Sequence, residues 1–235
     1  MGRHLSEGVD LLIFDQPELA ARSTEARMQL FAYLWRLMEE RRRAPTGDLM
    51  SALVTLQQES QTLSIMELIA FCISLFIAGQ ASTSTFISLA THDLLRHPQQ
   101  LEHFRQNPDS TAIEELLRYT SALQFATRSA RTDMELGGQS IRKGDVVLSM
   151  VSSANRDPEV FAEPDRLDLA RDPNPHLAFG RGHHYCLGAH LARLEGQVMV
   201  SSLLRRAPAL RLRAELVLKP TVWLRGLAGL PVSLR

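Results

Sequence analysis

Between Ser64 and Pro98 the chain runs 34 residues without a proline. The stretch opens on SIME, a capping box in which Ser64 caps the first turn and Glu67 reaches back to it. It ends where Pro98 disfavours helix in the residue before it. The pattern predicts one helix over 64–97, roughly 50 Å long at about 1.5 Å per residue. Its first half, with LIAFCISLFIAG, is apolar on every side, which predicts burial. The run AGQASTST in its middle breaks that pattern. A helical glycine costs about 1 kcal/mol relative to alanine, and buried hydroxyls need partners.

Around this helix the texture is mostly helical. STEARMQLFAYLWRLMEERRR spaces Met28, Phe31, Leu34, Trp35 and Met38 as a helix does, and closes on Arg41, Arg42 and Arg43 before Pro45 and Gly47. That arginine run reads as charge favourable to a helix C-terminus on a solvated face. GDLMSALVTLQQ is a shorter helix with Asp48 as its N-cap. PQQLEHFRQN and TAIEELLRYT continue the pattern after Pro98. From Ala122 it changes: RSARTDMELGGQSIRKGDVVLSM alternates, with Gly-Gly and Lys-Gly-Asp turns, and predicts short antiparallel strands. A Pro- and Asp-rich loop follows, then a helix to Pro208 and a tail of strand and turn. The fold class is mainly α with a small β portion.

Composition narrows the function. The 235 residues carry 26 basic and 26 acidic side chains, so no global positive charge favours nucleic acid. Two cysteines, Cys72 and Cys186, make no disulfide framework and fit a reducing, cytoplasmic setting. The first residues lack the pattern of a signal peptide. The longest apolar run has 12 residues, short for a membrane span.

One stretch concentrates unusual residues: HLAFGRGHHYCLGAHLAR, residues 176–193. Cys186 lies at the start of a helix behind a glycine-rich turn, where backbone N–H groups and the helix dipole favour a thiolate. Gly180, Gly182 and Gly188 permit a tight turn and the approach of a flat partner. Phe179 can cover the sulfur. Such a thiolate suits haem iron, pushing electron density toward it and favouring O–O cleavage. The rival is zinc, on His183, His184, Cys186 and His190, but no second cysteine lies near and the spacing is poor.

FGRGHHYCLG fits F-G-x-G-x-H-x-C-x-G in full and resembles the haem-ligand loop of the cytochrome P-450 family. EELLR supplies Glu115 and Arg118 in the family's E-x-x-R pattern. EPDRLD supplies Arg166, resembling the arginine that completes a Glu–Arg–Arg network. AGQAST resembles the oxygen-binding segment of the family's long central helix, and SANRDPEVFAEPDRLDLAR resembles the soluble bacterial branch. The resemblance implies a haem-thiolate monooxygenase holding haem b, with Cys186 as iron ligand. It implies His184 and Arg128 as propionate partners and Phe179, Gly180 and Gly188 as the cofactor's neighbours. Gly79, Ser82 and Thr83 fall in the oxygen-binding segment. Ile77, Ala78, Leu123, Phe125, Trp223 and Leu224 fall along the pocket of a small hydrophobic substrate. Electrons would come from a ferredoxin-type donor with its reductase, docking where Arg181, Arg193, Arg205 and Arg206 offer positive charge.

Two features depart from the family pattern. Ala81 stands where an acid is usual and Ser82 where a threonine is usual. Ser82 can hold a water or bond bound oxygen, but Ala81 cannot relay a proton. A substrate group or ordered water could supply it, peroxide could replace dioxygen, or the reaction could differ from simple hydroxylation. The second departure is length. The resemblance covers residues 1–235 as a single partial domain, the C-terminal half of a family-length chain. Residues 1–63 precede the central helix at 64–97, followed by the E-x-x-R region at 98–121. Strands and a proline-rich meander fill 122–175, the ligand loop and proximal helix 176–208, and terminal strands 209–235. Nothing before residue 64 resembles the helix that crosses the haem in the family, nor its N-terminal strands or substrate lid. The alternative is a non-catalytic fragment that needs a missing or separately encoded N-terminal half; alone, the chain is expected to bind haem weakly or not at all and to expose apolar surface around the long helix. A third reading, a helper that activates a partner enzyme, is opposed by Cys186 and its complete loop, because such helpers typically lack that ligand.

Overall fold

The computed structural model describes residues 17–60, 62–219 and 221–234. Helices dominate: α1 (Pro17–Arg43), α2 (Leu49–Ser60), α3 (Ile65–Arg96), α4 (Pro98–Gln106), α5 (Ser110–Thr120), the single turn α6 (Val151–Ala154) and α7 (Ala189–Arg206). Short strands accompany them among the described residues: β1 (Ala126–Ser129), β2 (Met134–Leu136), β3 (Gln139–Ile141), β4 (Val146–Ser149), β5 (Arg211–Leu212), β6 (Val217–Leu218), β7 (Leu227–Gly229) and β8 (Val232–Ser233). The chain divides into two compact units, residues 1–81 and 82–235, with the boundary inside α3.

In the first unit, Ala26, Leu30, Leu34 and Met38 recur every four residues and form the buried stripe of α1. They pack with Met50 and Val54 of α2 and with Leu68 and Ile69 of α3. Met28 and Trp35 fall outside the stripe and are exposed. Asp48 caps α2 by accepting from the Ser51 N–H at 2.8 Å. It also accepts from Arg41, whose guanidinium, with the Ser51 N–H, holds the carboxyl well below the usual range. The start of α3 is the predicted capping box: Glu67 N–H donates to Ser64 Oγ at 3.2 Å and Ser64 N–H to Glu67 Oε2 at 2.8 Å. The predicted burial of the first half of α3 is not what the structure shows. Leu68 and Ile69 are buried, but Met66, Phe71 and Phe76 are exposed; among the described residues, α1 and α2 pack on the Leu68 and Ile69 side of the helix. By length and composition α3 could cross a membrane, a test that core helices of soluble proteins also pass.

The second unit is built on Phe86, Ala90 and Leu94 of α3, Phe104 of α4, Ile113, Leu116 and Leu117 of α5, and Val200 and Leu204 of α7. Ser88 and Thr91 satisfy their hydroxyls on the carbonyls four residues back, at 2.8 Å each. Gly196 is the one position in α7 where close packing demands glycine, since a Cβ there would lie 2.4 Å from the Phe86 ring. The opposite side of α7 is apolar too, with Leu191, Leu194, Val198 and Met199 exposed. The strands are antiparallel pairs: β2–β3 nested between β1 and β4, then β5–β8 and β6–β7. Gly137 and Gly138, at φ of +57° and +75°, close the β2–β3 hairpin as the Gly-Gly signal predicts.

Candidate functional site

The loop ahead of α7 is shaped by backbone bonds. Gly180 N–H donates to the Leu177 carbonyl at 2.9 Å and Tyr185 N–H to the Gly182 carbonyl at 3.0 Å. The Cys186 N–H returns to the Phe179 carbonyl at 2.9 Å, and the Cys186 carbonyl accepts from the Ala189 N–H at 3.2 Å, joining the loop to the helix. Gly180 and Gly182 hold φ of +70° and +73°, a region costly for residues with a Cβ. Cys186 is a free, exposed thiol. Nothing lies within 4 Å of a Cβ placed on Gly182 or Gly188. At Gly188 φ is −84°, so neither the backbone nor this chain's own packing calls for glycine there. A soft sulfur donor beside backbone bare of side chains is what a flat, thiolate-bound cofactor needs, and haem fits it. Among the described residues no group of three His, Cys, Asp or Glu side chains is placed to hold a metal ion, so His183, His184, His190 and Cys186 do not gather as a zinc site.

Helix α5 anchors this loop with consecutive carboxylates that point about 100° apart around the helix. Glu115 is fully buried and accepts five donors: Arg118 Nε (2.8 Å) and Nη2 (2.9 Å), Arg171 Nε (3.1 Å), the Asp168 N–H (3.0 Å) and Asn174 Nδ2 (3.2 Å). Arg118, equally buried, also donates to the carbonyls of Asn155, Pro164 and Arg166. The second arginine of the network is therefore Arg171, and the expectation for Arg166 is corrected. The Arg166 side chain is 58% exposed and pairs with Glu163, and only its carbonyl enters the network. The meander turns so that the residue five positions later points inward.

Glu114 takes a different set. It accepts Arg193 Nε at 2.6 Å and Nη2 at 2.9 Å, and His176 Nε2 at 2.8 Å. Burial raises its carboxyl, but the bonds from His176 and Arg193 prevail and bring it down to about 2. Arg193 in turn lies 4.4 Å over the Phe179 ring and reaches the Tyr185 hydroxyl. Asn155, fully buried, accepts the Leu177 N–H at 2.7 Å and donates to Ser121 Oγ, tying the loop's entry to α5. Glu114, Asn155, Arg171, Asn174 and His176 were not legible as site residues. Only the Glu-Glu doublet hinted at the first.

The other expected residues are dispersed. His184 sits in the exposed 3₁₀ turn Gly182–His184. Arg128, on β1, donates to the Thr127 carbonyl at 2.7 Å. Leu123 and Leu224 form an antiparallel bridge, and the Gln124 N–H bonds the Trp223 carbonyl, which brings these segments together. Phe125 and Leu224 are buried within the chain itself. Ser82 and Thr83 are half-buried on α3, and Gly79 is exposed with open space beside it. Ile77 and Ala78 lie on α3 within the first unit. The four arginines expected near Cys186 do not form one patch. Arg193 is committed to Glu114, and Arg205 and Arg206 end α7, roughly 25 Å along the helix from Cys186. Two clefts, about 790 and 310 Å³, are lined by none of the cofactor or substrate candidates.

The family profile of cytochrome P-450 matches residues 6–111 and 110–207. The chain belongs to the cytochrome P-450 family. It is 44% identical over 209 residues to a biotin biosynthesis cytochrome P-450 of Bacillus subtilis, covering 88% of this chain and 53% of that protein. It is 38% identical over 239 residues to 6-deoxyerythronolide B hydroxylase of Saccharopolyspora erythraea, covering 99% of this chain and 58% of the relative. The crystal structure of P450BioI in complex with an acyl carrier protein ligated to hexadec-9Z-enoic acid superposes with a TM-score of 0.90 at 39% identity, over 99% of this chain and 60% of that one. The chain thus spans about half the length of the curated relatives it matches. Its mainly helical architecture with small sheets is a part of the P-450 fold, a family of haem-thiolate monooxygenases.

Proposed function

We propose that residues 1–235 form one partial domain, the C-terminal half, of a soluble cytoplasmic P-450, in which Cys186 would hold the iron of haem b. The observation that carries this reading is the exposed Cys186 thiol at the start of α7, with glycine backbone bare of Cβ beside it. Thiolate-bound haem supplies the dioxygen activation that inserts one oxygen atom into an organic substrate. The chain's own residues do the rest. Phe179 would pack near the sulfur, and Gly180 and Gly188 would leave room for the macrocycle. His184 and Arg128, both exposed, can turn to face propionates. Glu115, Arg118 and Arg171 hold the meander that leads into the loop.

On α3, Ser82 offers a hydroxyl that holds a water, with Thr83 beside it and Gly79 leaving room. Ala81 carries no proton, which favours delivery by ordered water or a substrate group, or peroxide as oxidant. Ile77, Ala78, Leu123, Phe125, Trp223 and Leu224 are all apolar and suit a small hydrophobic substrate. A ferredoxin-type donor with its reductase would supply electrons, with Arg181 as its contact beside the loop. A second reading is supported by the exposed apolar side of α7 and of early α3. Here the chain is inert until a complementary N-terminal polypeptide, in the same or a separate chain, covers those faces.

The test is a carbon monoxide difference spectrum of the reduced, haem-supplied chain. A red-shifted Soret band characteristic of thiolate ligation, lost in Cys186→Ala, is expected if this half assembles the site. Absence of that band with the chain alone, and its appearance on adding the complementary half, establishes the second reading. A band unaffected by Cys186→Ala refutes Cys186 as ligand.

A further inference from the structure

Cys186 has little of its own to hold it. Residues 181–188 are all exposed, and the cysteine's backbone makes one bond back to Phe179 and one forward to Ala189. Its aim must therefore come from the two ends of the loop and from Phe179. Both ends meet on one carboxylate. His176, ten residues before the cysteine, donates from Nε2 to Glu114 Oε2, and Arg193, seven residues after it, grips the same carboxylate with two nitrogens. The Ala178 N–H donates to His176 Nδ1 at 3.2 Å, which leaves the ring proton on Nε2, facing Glu114. The third nitrogen of Arg193 donates to the hydroxyl of Tyr185, the residue before the cysteine, and its guanidinium covers the Phe179 ring. The Phe179 ring in turn meets Tyr185 edge-on at 6.4 Å.

We propose that Glu114 is a positioning residue for Cys186: it clamps the loop's entry to its exit, and through Arg193 fixes Phe179, whose carbonyl accepts the Cys186 N–H, and Tyr185, the residue before the cysteine. This rests on the reading of Cys186 as the ligand. It differs from the role of Glu115, which closes a buried network without reaching past Asn174 into the loop. A bidentate arginine–carboxylate pair is the strongest polar clasp available to such a joint.

The test compares the full chain with Glu114→Gln, Glu114→Ala and Arg193→Lys, first without haem and then with it. Amide hydrogen exchange without haem reads the loop directly. Protection of the Cys186, Tyr185 and Gly180 N–H groups is expected to fall at least about tenfold, the worth of one charge-assisted hydrogen bond. The amides of Val200 and Leu204 in α7 should be unchanged. Arg193→Lys, which keeps the charge and loses the fork, is expected to reproduce the loop-selective loss. In haem-supplied chain the same variants should shift the carbon monoxide band from the thiolate type toward the type seen when the thiolate is lost. Unchanged loop protection overturns the proposal. So does an equal loss across all of α7, which would make Glu114 a general stabiliser. If Cys186→Ala leaves the wild-type band in place, it is the ligand assignment that fails, whatever Glu114 does.

Discussion

Replacing Glu115 by glutamine changes almost no volume and removes one charge, so its effect measures the buried network alone. The carboxylate accepts two donors on Oε1, from Arg118 and Asp168, and three on Oε2, from Arg118, Arg171 and Asn174. An amide must turn its NH₂ toward one of these groups. The better choice, the Oε1 side, forfeits two bonds and leaves the fully buried Arg118 without a counter-charge. Hydrogen bonds to charged groups are worth about 1.5–3 kcal/mol each, and breaking a buried pair by removing one partner costs about 3–5 kcal/mol. Both routes give about 4 kcal/mol, a large part of the roughly 5–15 kcal/mol that holds a domain folded. With a urea dependence of about 2 kcal/mol per molar, the midpoint should fall by roughly 2 M. Trp35 and Trp223 are the chain's two tryptophans. A Trp35→Phe background leaves Trp223 as the fluorescent reporter of the second unit. A midpoint shift under about 0.5 M for Glu115→Gln would refute the claim that this carboxylate organises the region.

Arg166→Ala should cost no more than about 0.5 kcal/mol in the same titration, because its exposed pair with Glu163 is worth little. Arg171→Ala should cost about 1–3 kcal/mol, through the bond that Glu115 loses. Gly196→Ala should destabilise by about 1–3 kcal/mol despite alanine's better helix propensity, since the new Cβ overlaps the Phe86 ring; thermal unfolding checks it. The Glu114 carboxyl is lowered from 4.5 to about 2 in the folded chain, so its contribution is complete above pH 4.5 and is lost as pH falls toward 2. Allowing for the solvent that screens a side chain 27% exposed, that contribution is about 2 kcal/mol. Urea titrations at pH 6 and pH 3 should show it in wild type and lose it in Glu114→Gln.

The sequence by itself determined the local elements and the shape of the cysteine loop. The capping box at Ser64 and Glu67, the cap at Asp48 and the Gly-Gly hairpin are local, set by groups a few residues apart, and each appears where its pattern put it. The cysteine loop was legible for the same reason, since positive-φ glycines and a thiol at a helix start are features of one short segment. What the tertiary structure decided is everything that depends on a partner distant in the chain. Arg166 sits in the family-like motif, yet the turn of the meander delivers Arg171 to Glu115, 56 residues away. Glu114, His176 and Arg193 have no local signal that they meet, because nothing within a helical turn of one names the others. The first half of α3 shows the converse. Its apolar composition called for burial, but burial needs covering elements, and among the described residues α1 and α2 supply them on the Leu68 and Ile69 side.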